Sequence, residues 1–371
     1  MAAVMLLSCS GQQDSTGGIG DASSSLLLTS DKNLIQAGED VAILSLTLDG
    51  VPVTEGVTFF NENNEVLDIA DFKFSTETPG EYTLWAAYGA LNSNKISIMA
   101  VATAIPPTPQ DPQPENTNFK SRVLLSQFTG VNCGYCPQMM LKLHPVLEDK
   151  TMANELVWVA CHSYSNGDVA YFPRAKYADI LGGTFPSLNL DFTYKFENTS
   201  ANDTEALIAL INECNTSKKD LASGIAVNAK LVDGQVVAKV TVKAAETAEY
   251  RVGAMLLEDG LKQTQTSASE AWMHQHDACI RYIDAGGQAA GNKLGTIEKG
   301  KTADYLFIWN LDKIWSDANK AEKEWDAFVL ENLRMAVYVV STRKVNGQES
   351  YYVNNAVAAE FNKETPFEYA K

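Results

Sequence analysis

Cys133-Gly134-Tyr135-Cys136-Pro137, entered from the apolar run Val123 to Phe128, constrains this chain more than any other stretch. The run reads as a strand, and the residues from Gln138 to His144 have helical periodicity, so two cysteines three apart stand where a strand turns into a helix. A thiolate at a helix N-terminus faces unpaired backbone N–H groups and the positive end of the helix dipole. Cysteines so placed have pKa values lowered to about 3.5–7.5. The layout predicts Cys133 as an exposed attacking sulfur and Cys136 as a buried resolving one, with Gly134 and Tyr135 as substrate contacts between them. Pro137 has no N–H to lose and suits a first helical turn.

The rest of the composition sets the surroundings. The chain has 371 residues, which predicts two or three domains, and it is 45% hydrophobic and 20% charged with no apolar run long enough to span a bilayer. Its net charge of −17 argues against a nucleic-acid partner, since phosphate binding needs basic patches. Met1 to Ser10 looks like the tail of a lipoprotein signal peptide, with Leu6-Leu7-Ser8-Cys9 as its lipobox and Cys9 as the lipidated residue, although no Lys or Arg precedes it. Gly11 to Ser25 is polar and aperiodic, so 1–25 reads as a signal remnant and flexible tether. Of the six cysteines, Cys161, Cys214 and Cys279 are left over and are expected to be buried core thiols.

Three modules follow. Residues 26–103 carry short strand-like runs punctuated by Asp49-Gly50 and Pro79-Gly80, which predicts a small β-sandwich whose order resembles bacterial immunoglobulin-like domains. Tyr82 and Trp85 are expected in its core. Residues 104–118 form a linker, with five prolines between Ala104 and Pro114 favouring extended polyproline II. Residues 119–218 alternate strands (122–128, 155–161) with helices (the one after the motif, 170–180 and 205–214), as a parallel-containing α/β sheet does. Residues 222–362 return to β structure, with hairpin turns at Asp233-Gly234 and Asn346-Gly347 and an inserted helix over 318–332, and read as a second sandwich. The fold class is therefore multidomain α+β.

The middle module resembles the thioredoxin superfamily in its strand, its two cysteines, its helix and a later proline, Pro186. The resemblance implies a cis peptide at Pro186 beside the disulfide, and a substrate groove lined by Pro186 and Phe185. Gln127 stands where many thioredoxins carry a buried acid, and Asn132 where they carry tryptophan; neither can relay a proton from Cys136. His144 and Glu148 lie on the following helix. Phe128-Thr129-Gly130, followed by Cys133 and Cys136-Pro137, is similar to the motif of a lipoprotein family related to the twenty-eight-kilodalton outer membrane protein. His274 to Arg281 is similar to that family's second motif. This resemblance covers roughly 119–362 and implies an outer-membrane lipoprotein of a Gram-negative cell, facing the periplasm or the outside.

Three readings of the cysteine pair stand open. It is an exchangeable dithiol, a structural disulfide, or, with Cys161 and His162, a zinc site, although neighbouring residues on a strand point to opposite faces. His274 and His276 would share a face in a strand, but no third metal ligand is evident. The first reading makes the chain a lipid-anchored thiol–disulfide oxidoreductase or isomerase. It would act without cofactor or metal on the thiols and disulfides of extracytoplasmic proteins or peptides. The second makes it an adhesion or scaffold protein with a stabilising disulfide.

Overall fold

The computed structural model describes residues 25–173, 184–286, 290–320, 325–345 and 348–371. The lipobox with Cys9, the tether up to Ser24, most of the helix expected over 170–180 and the Asn346-Gly347 turn lie outside these residues. Among the described residues no helix is long and apolar enough to cross a membrane. The chain is β-rich, with several sheets and few helices, and divides into two compact units: residues up to Ile105 with Val232–Val237, and the remainder.

The first unit holds two sheets over one core. Leu26–Ser30, Ala42–Leu48, Val51–Pro52 and Lys73–Phe74 make one sheet, and a six-stranded sheet centred on Ile96–Val101 and Gly80–Tyr88 makes the other. Alternate residues of the first two strands point inward, so Leu28, Leu44 and Leu46 meet Phe59, Leu84 and Ile98. Asp49 and Gly50 both take positive φ, as a two-residue hairpin turn requires. Tyr82 and Trp85 are half-buried, and Trp85 stacks on Phe60 with centroids 4.3 Å apart.

In the second unit the expected boundary between 119–218 and 222–362 is absent. Val123–Thr129 pairs in parallel with Leu156–His162 and antiparallel with Ser187–Leu190, which pairs with Tyr194–Glu197. Cys279–Asp284 then joins Leu156–His162 in parallel at Ala160 and pairs antiparallel with Ala248–Glu258. Strands Leu333–Val345, Gln348–Glu360 and Asn292–Ile297 complete one nine-stranded sheet. The physical reason is that the strand at 156–162 would otherwise present an open edge, and 279–284 closes it. Both faces are consequently covered, and Val123–Thr129 is buried throughout. Helices Cys136–Glu148 and Thr204–Lys218 cover one face, packing Met139, Leu143, Leu207 and Ile211 onto Leu125 and Leu188. On the other face Leu124, Phe128 and Val159 share a core with Met255, Leu257, Ile280 and Val340. Gly224–Val232, Gln235–Lys243, Thr302–Asn310 and Lys363–Thr365 make a separate four-stranded sheet.

Two more expectations are corrected. The linker is not a free spacer from Pro107 onward. Asn228 Nδ2 donates to Pro107 O, and the buried Lys243 ammonium reaches Asp111 Oδ2 at 2.8 Å and Pro114 O at 2.6 Å. A buried cation must find such partners, and the linker supplies them. The inserted helix spans Leu311–Lys320 rather than 318–332, because Asn310 Oδ1 accepts the Lys313 N–H at its start. Asn319 Oδ1 accepts the N–H of Trp325, whose ring is buried in the core with its Nε1 on Tyr171 O.

A buried ion pair ties these parts together. Lys218 Nζ lies 2.8 Å from Asp191 Oδ2 and 2.6 Å from Arg122 O, while Asp191 accepts the N–H of Leu124 on its side chain and of Val353 on its carbonyl. Burial pushes the Asp191 carboxyl up, against the pull of Lys218. Lys218→Met should therefore cost about 3–5 kcal/mol in urea unfolding, because the carboxylate is left uncompensated, whereas Lys218→Met with Asp191→Asn should recover much of it. Equal losses in the single and double variants would count against this.

Candidate functional site at the cysteine turn

Cys133 and Cys136 form a disulfide with Cα atoms 5.4 Å apart, between the strand ending at Thr129 and the helix starting at Cys136. Pro137 lies in the first turn of that helix. Gly134 and Tyr135 face solvent, Tyr135 at 68% exposure. Cys133, expected to be exposed, is not: it is 2% exposed and Cys136 is 0% exposed. The segment 263–267 binds the backbone of the turn. The Thr266 N–H meets Val131 O at 2.7 Å, and Gln265 Nε2 lies 3.2 Å from Cys133 O.

The Phe185–Pro186 peptide is cis, and Pro186 immediately precedes the strand whose Ser187 pairs with Phe128. Pro186 thus stands at the end of the sheet where the cysteine turn begins. Phe185 is half-buried and meets Tyr164 edge-on at 5.4 Å. Tyr164 in turn packs over Gly130, where an added Cβ would fall 2.6 Å from Tyr164 Cβ. Only glycine admits that approach. Tyr164 (49% exposed) and Phe185 form an aromatic pair beside Gly130, and Tyr135 is a separate exposed ring on the turn; Tyr164 carries no sequence signal that marks it.

Asp168 and His162 were not expected to act together. Asp168 Oδ2 accepts the Val131 N–H and lies 2.8 Å from His162 Nδ1, while Oδ1 accepts the Ala170 N–H. Burial works against the Asp168 charge, but His162 and these backbone donors outweigh it and hold the carboxyl below its usual range. Burial likewise opposes charge on His162, but the Cys279 sulfur and Asp168 outweigh it and raise its pKa to about 10. His276 meets the His162 ring edge-on at 5.1 Å, and burial, reinforced by that neighbour, lowers its pKa to about 4.

His274 and His276 do not share a face. Ala271–His274 is a 3-10 turn rather than a strand, His274 is exposed with Nδ1 accepting the Gln265 N–H, and His276 is buried with Nε2 3.0 Å from Gln263 O. Cys161, as expected, is a buried thiol, as are Cys214 and Cys279. Cys161 packs in the core behind the sheet while His162 lies on the opposite face, so the pair cannot join the turn cysteines around one ion. Among the described residues no three His, Cys, Asp or Glu side chains converge as a ligand set.

A cavity of about 330 Å³ lies between the helix after the turn and the sheet, lined by Gln127, His144, Glu148, Trp158, His162 and His276 among others. Gln127 Oε1 accepts the Trp158 Nε1–H at 3.1 Å, and His144 stacks on Trp272 at 4.0 Å. The structure thus brings Gln127, His144 and Glu148 to one cavity.

No family model matches the sequence, and no curated protein matches it. A solved structure, HBP35 of Porphyromonas gingivalis, is similar with a TM-score of 0.52 and 19% identity, over 68% of this chain and 78% of that chain. At that identity the likeness is one of fold.

The histidines make stability pH-dependent with opposite signs. His276 takes up a proton near pH 6.5 when unfolded and only near 4 when folded. The unfolded state binds more protons between these values, so stability should fall from about pH 6.5 to about 4, by up to about 3 kcal/mol. His162 contributes fully below 6.5, and its contribution is lost as pH rises through about 10. Urea midpoints across the acid range should show a shallower fall in His276→Gln than in the parent; identical slopes would refute the assignment.

Proposed function

We propose that the chain is an extracytoplasmic thiol–disulfide exchange protein whose second unit contains a thioredoxin-like element, tethered to the outer membrane of a Gram-negative cell by lipid on Cys9. The observation that carries this reading is the Cys133–Cys136 disulfide at a helix N-terminus, at the end of the sheet where the cis Pro186 and the Tyr164–Phe185 pair also lie. A helix N-terminus favours the thiolate that exchange requires.

The chemistry balances within the protein and its substrate. In the reduced form Cys133 Sγ⁻ attacks a substrate disulfide, forming a mixed disulfide and releasing the other substrate sulfur as thiolate. Cys136 then attacks Cys133 Sγ. The bond to the substrate breaks, the Cys133–Cys136 disulfide forms, and the substrate leaves with two thiols. The reverse sequence oxidises a substrate dithiol. Extended polypeptide is the substrate class the Tyr164–Phe185 pair suits, since rings bury large apolar area against a passing chain. The lipoprotein tether rests on the motif at Leu6 to Cys9 and on the polar segment after it.

One observation favours a second reading. Both cysteines are buried and the segment 263–267 is bonded to their turn, as suits a structural disulfide in an adhesion or scaffold protein. Scrambled ribonuclease or oxidised insulin offered to the full chain separates the two. Exchange should run above background in the parent and fall to background in Cys133→Ser, and Cys136→Ala should accumulate a mixed disulfide through Cys133. Background rates in all three would leave the structural reading.

A further inference from the structure

Three carbonyls of the cysteine turn converge on one side chain. Gln265 Nε2 lies 3.3 Å from Gly130 O, 3.2 Å from Val131 O and 3.2 Å from Cys133 O. Gln265 is buried, and its Oε1 is buried without a hydrogen-bond partner among the described residues. The next residue adds the Thr266 N–H on Val131 O, and Ser267, at φ +59°, places its Oγ 3.6 Å from where a Cβ on Gly134 would stand. A better-satisfied anchor sits two residues upstream. Gln263 Oε1 accepts the Val169 N–H at 2.6 Å, Gln263 Nε2 donates to Gly167 O at 2.9 Å, and its backbone N–H donates to His274 O.

We infer that Gln265 is a positioning residue of the exchange site: its amide holds the Cys133 turn in shape, and the strap 265–267 lifts about the Gln263 anchor to admit a substrate sulfur to Cys133. The inference rests on the exchange reading. A primary amide has two N–H donors and cannot satisfy three carbonyls at once, so these bonds are shared and long. The unpaired Oε1 adds a desolvation cost to the closed state. Gln263, by contrast, uses both ends of its side chain at short distances. The Gln265 amide is therefore the loosely satisfied contact of the strap with the turn, beside the shorter Thr266 N–H bond to Val131 O, and Gln263 is its firm end. Displacement of sulfur from sulfur needs the attacking group to reach Cys133 Sγ, and with Cys133 2% exposed that approach is shut until the strap moves.

The test is the rate at which dithiothreitol reduces the Cys133–Cys136 disulfide in the full chain, read by alkylation and mass. Gln265→Met keeps the bulk and removes the donors. It should speed reduction about tenfold, the effect of about 1.4 kcal/mol on a barrier. Thr266→Pro, which removes the N–H on Val131 O, should act in the same direction and serves if the first variant does not fold. Val240→Ala, a core truncation in the four-stranded sheet, should lower stability without matching the acceleration. Unchanged rates in both strap variants overturn the inference, as does acceleration that merely follows stability through all three. Because dithiothreitol acts without turnover, failure to exchange with protein substrates would overturn the proposed function and leave this measurement intact.

Discussion

The second unit depends on one strand pairing, the parallel junction of Leu156–His162 with Cys279–Asp284 at Ala160 and Cys279. It turns two sets of strands into one sheet, and it fixes where everything beside it must lie. Residues 263–277 run directly into the strand beginning at Cys279, so joining that strand beside 156–162 brings Gln263, Gln265 and His276 over the cysteine turn and the 162–169 segment. An isolated α/β element would expose its turn. Here the neighbouring strands carry its cover.

The charge arrangement follows from the same junction. Ala160 and His162 share a face of their strand, and Cys279, opposite Ala160, projects to that face. His162 is thereby enclosed among the Cys279 sulfur, Asp168 and His276. Two imidazoles in contact in a buried site cannot both hold a proton cheaply, and the Cys279 sulfur together with Asp168 favours it on His162. Asp168 also accepts the Val131 N–H, so the carboxylate that helps set the histidine charge holds the start of the cysteine turn.

Elements governed by local chemistry are legible in the sequence. Strand 123–129, the cysteine turn and its helix follow from an apolar run, two cysteines and a helical period, and the hairpin at Asp49-Gly50 from residues that tolerate positive φ. Partner choice between distant strands is not legible. Nothing local in Cys279–Asp284 states that it will pair with 156–162, so a boundary drawn near 219–221 cannot anticipate that Asn354 and Asn355 bind the backbone of Leu221 and Ser223. The surroundings of Cys133 are illegible for the same reason, because a side chain that binds its carbonyl comes from more than a hundred positions away. The pairing of His274 with His276 fails locally, since a 3-10 turn rotates His274 off the face a strand would give it.

The buried sulfurs and Gln127 bear on the same step of exchange. A resolving thiol must lose a proton before it attacks, and Gln127 cannot take it: its side chain does not titrate and its oxygen is committed to Trp158. If the strap opens as inferred above, water admitted with the substrate would accept the proton that Gln127 cannot. Access and proton transfer are then a single event rather than two. On the exchange reading proposed above, the rate would follow how readily that cover lifts, and Gln265, rather than an acid at position 127, would be the side chain that sets it.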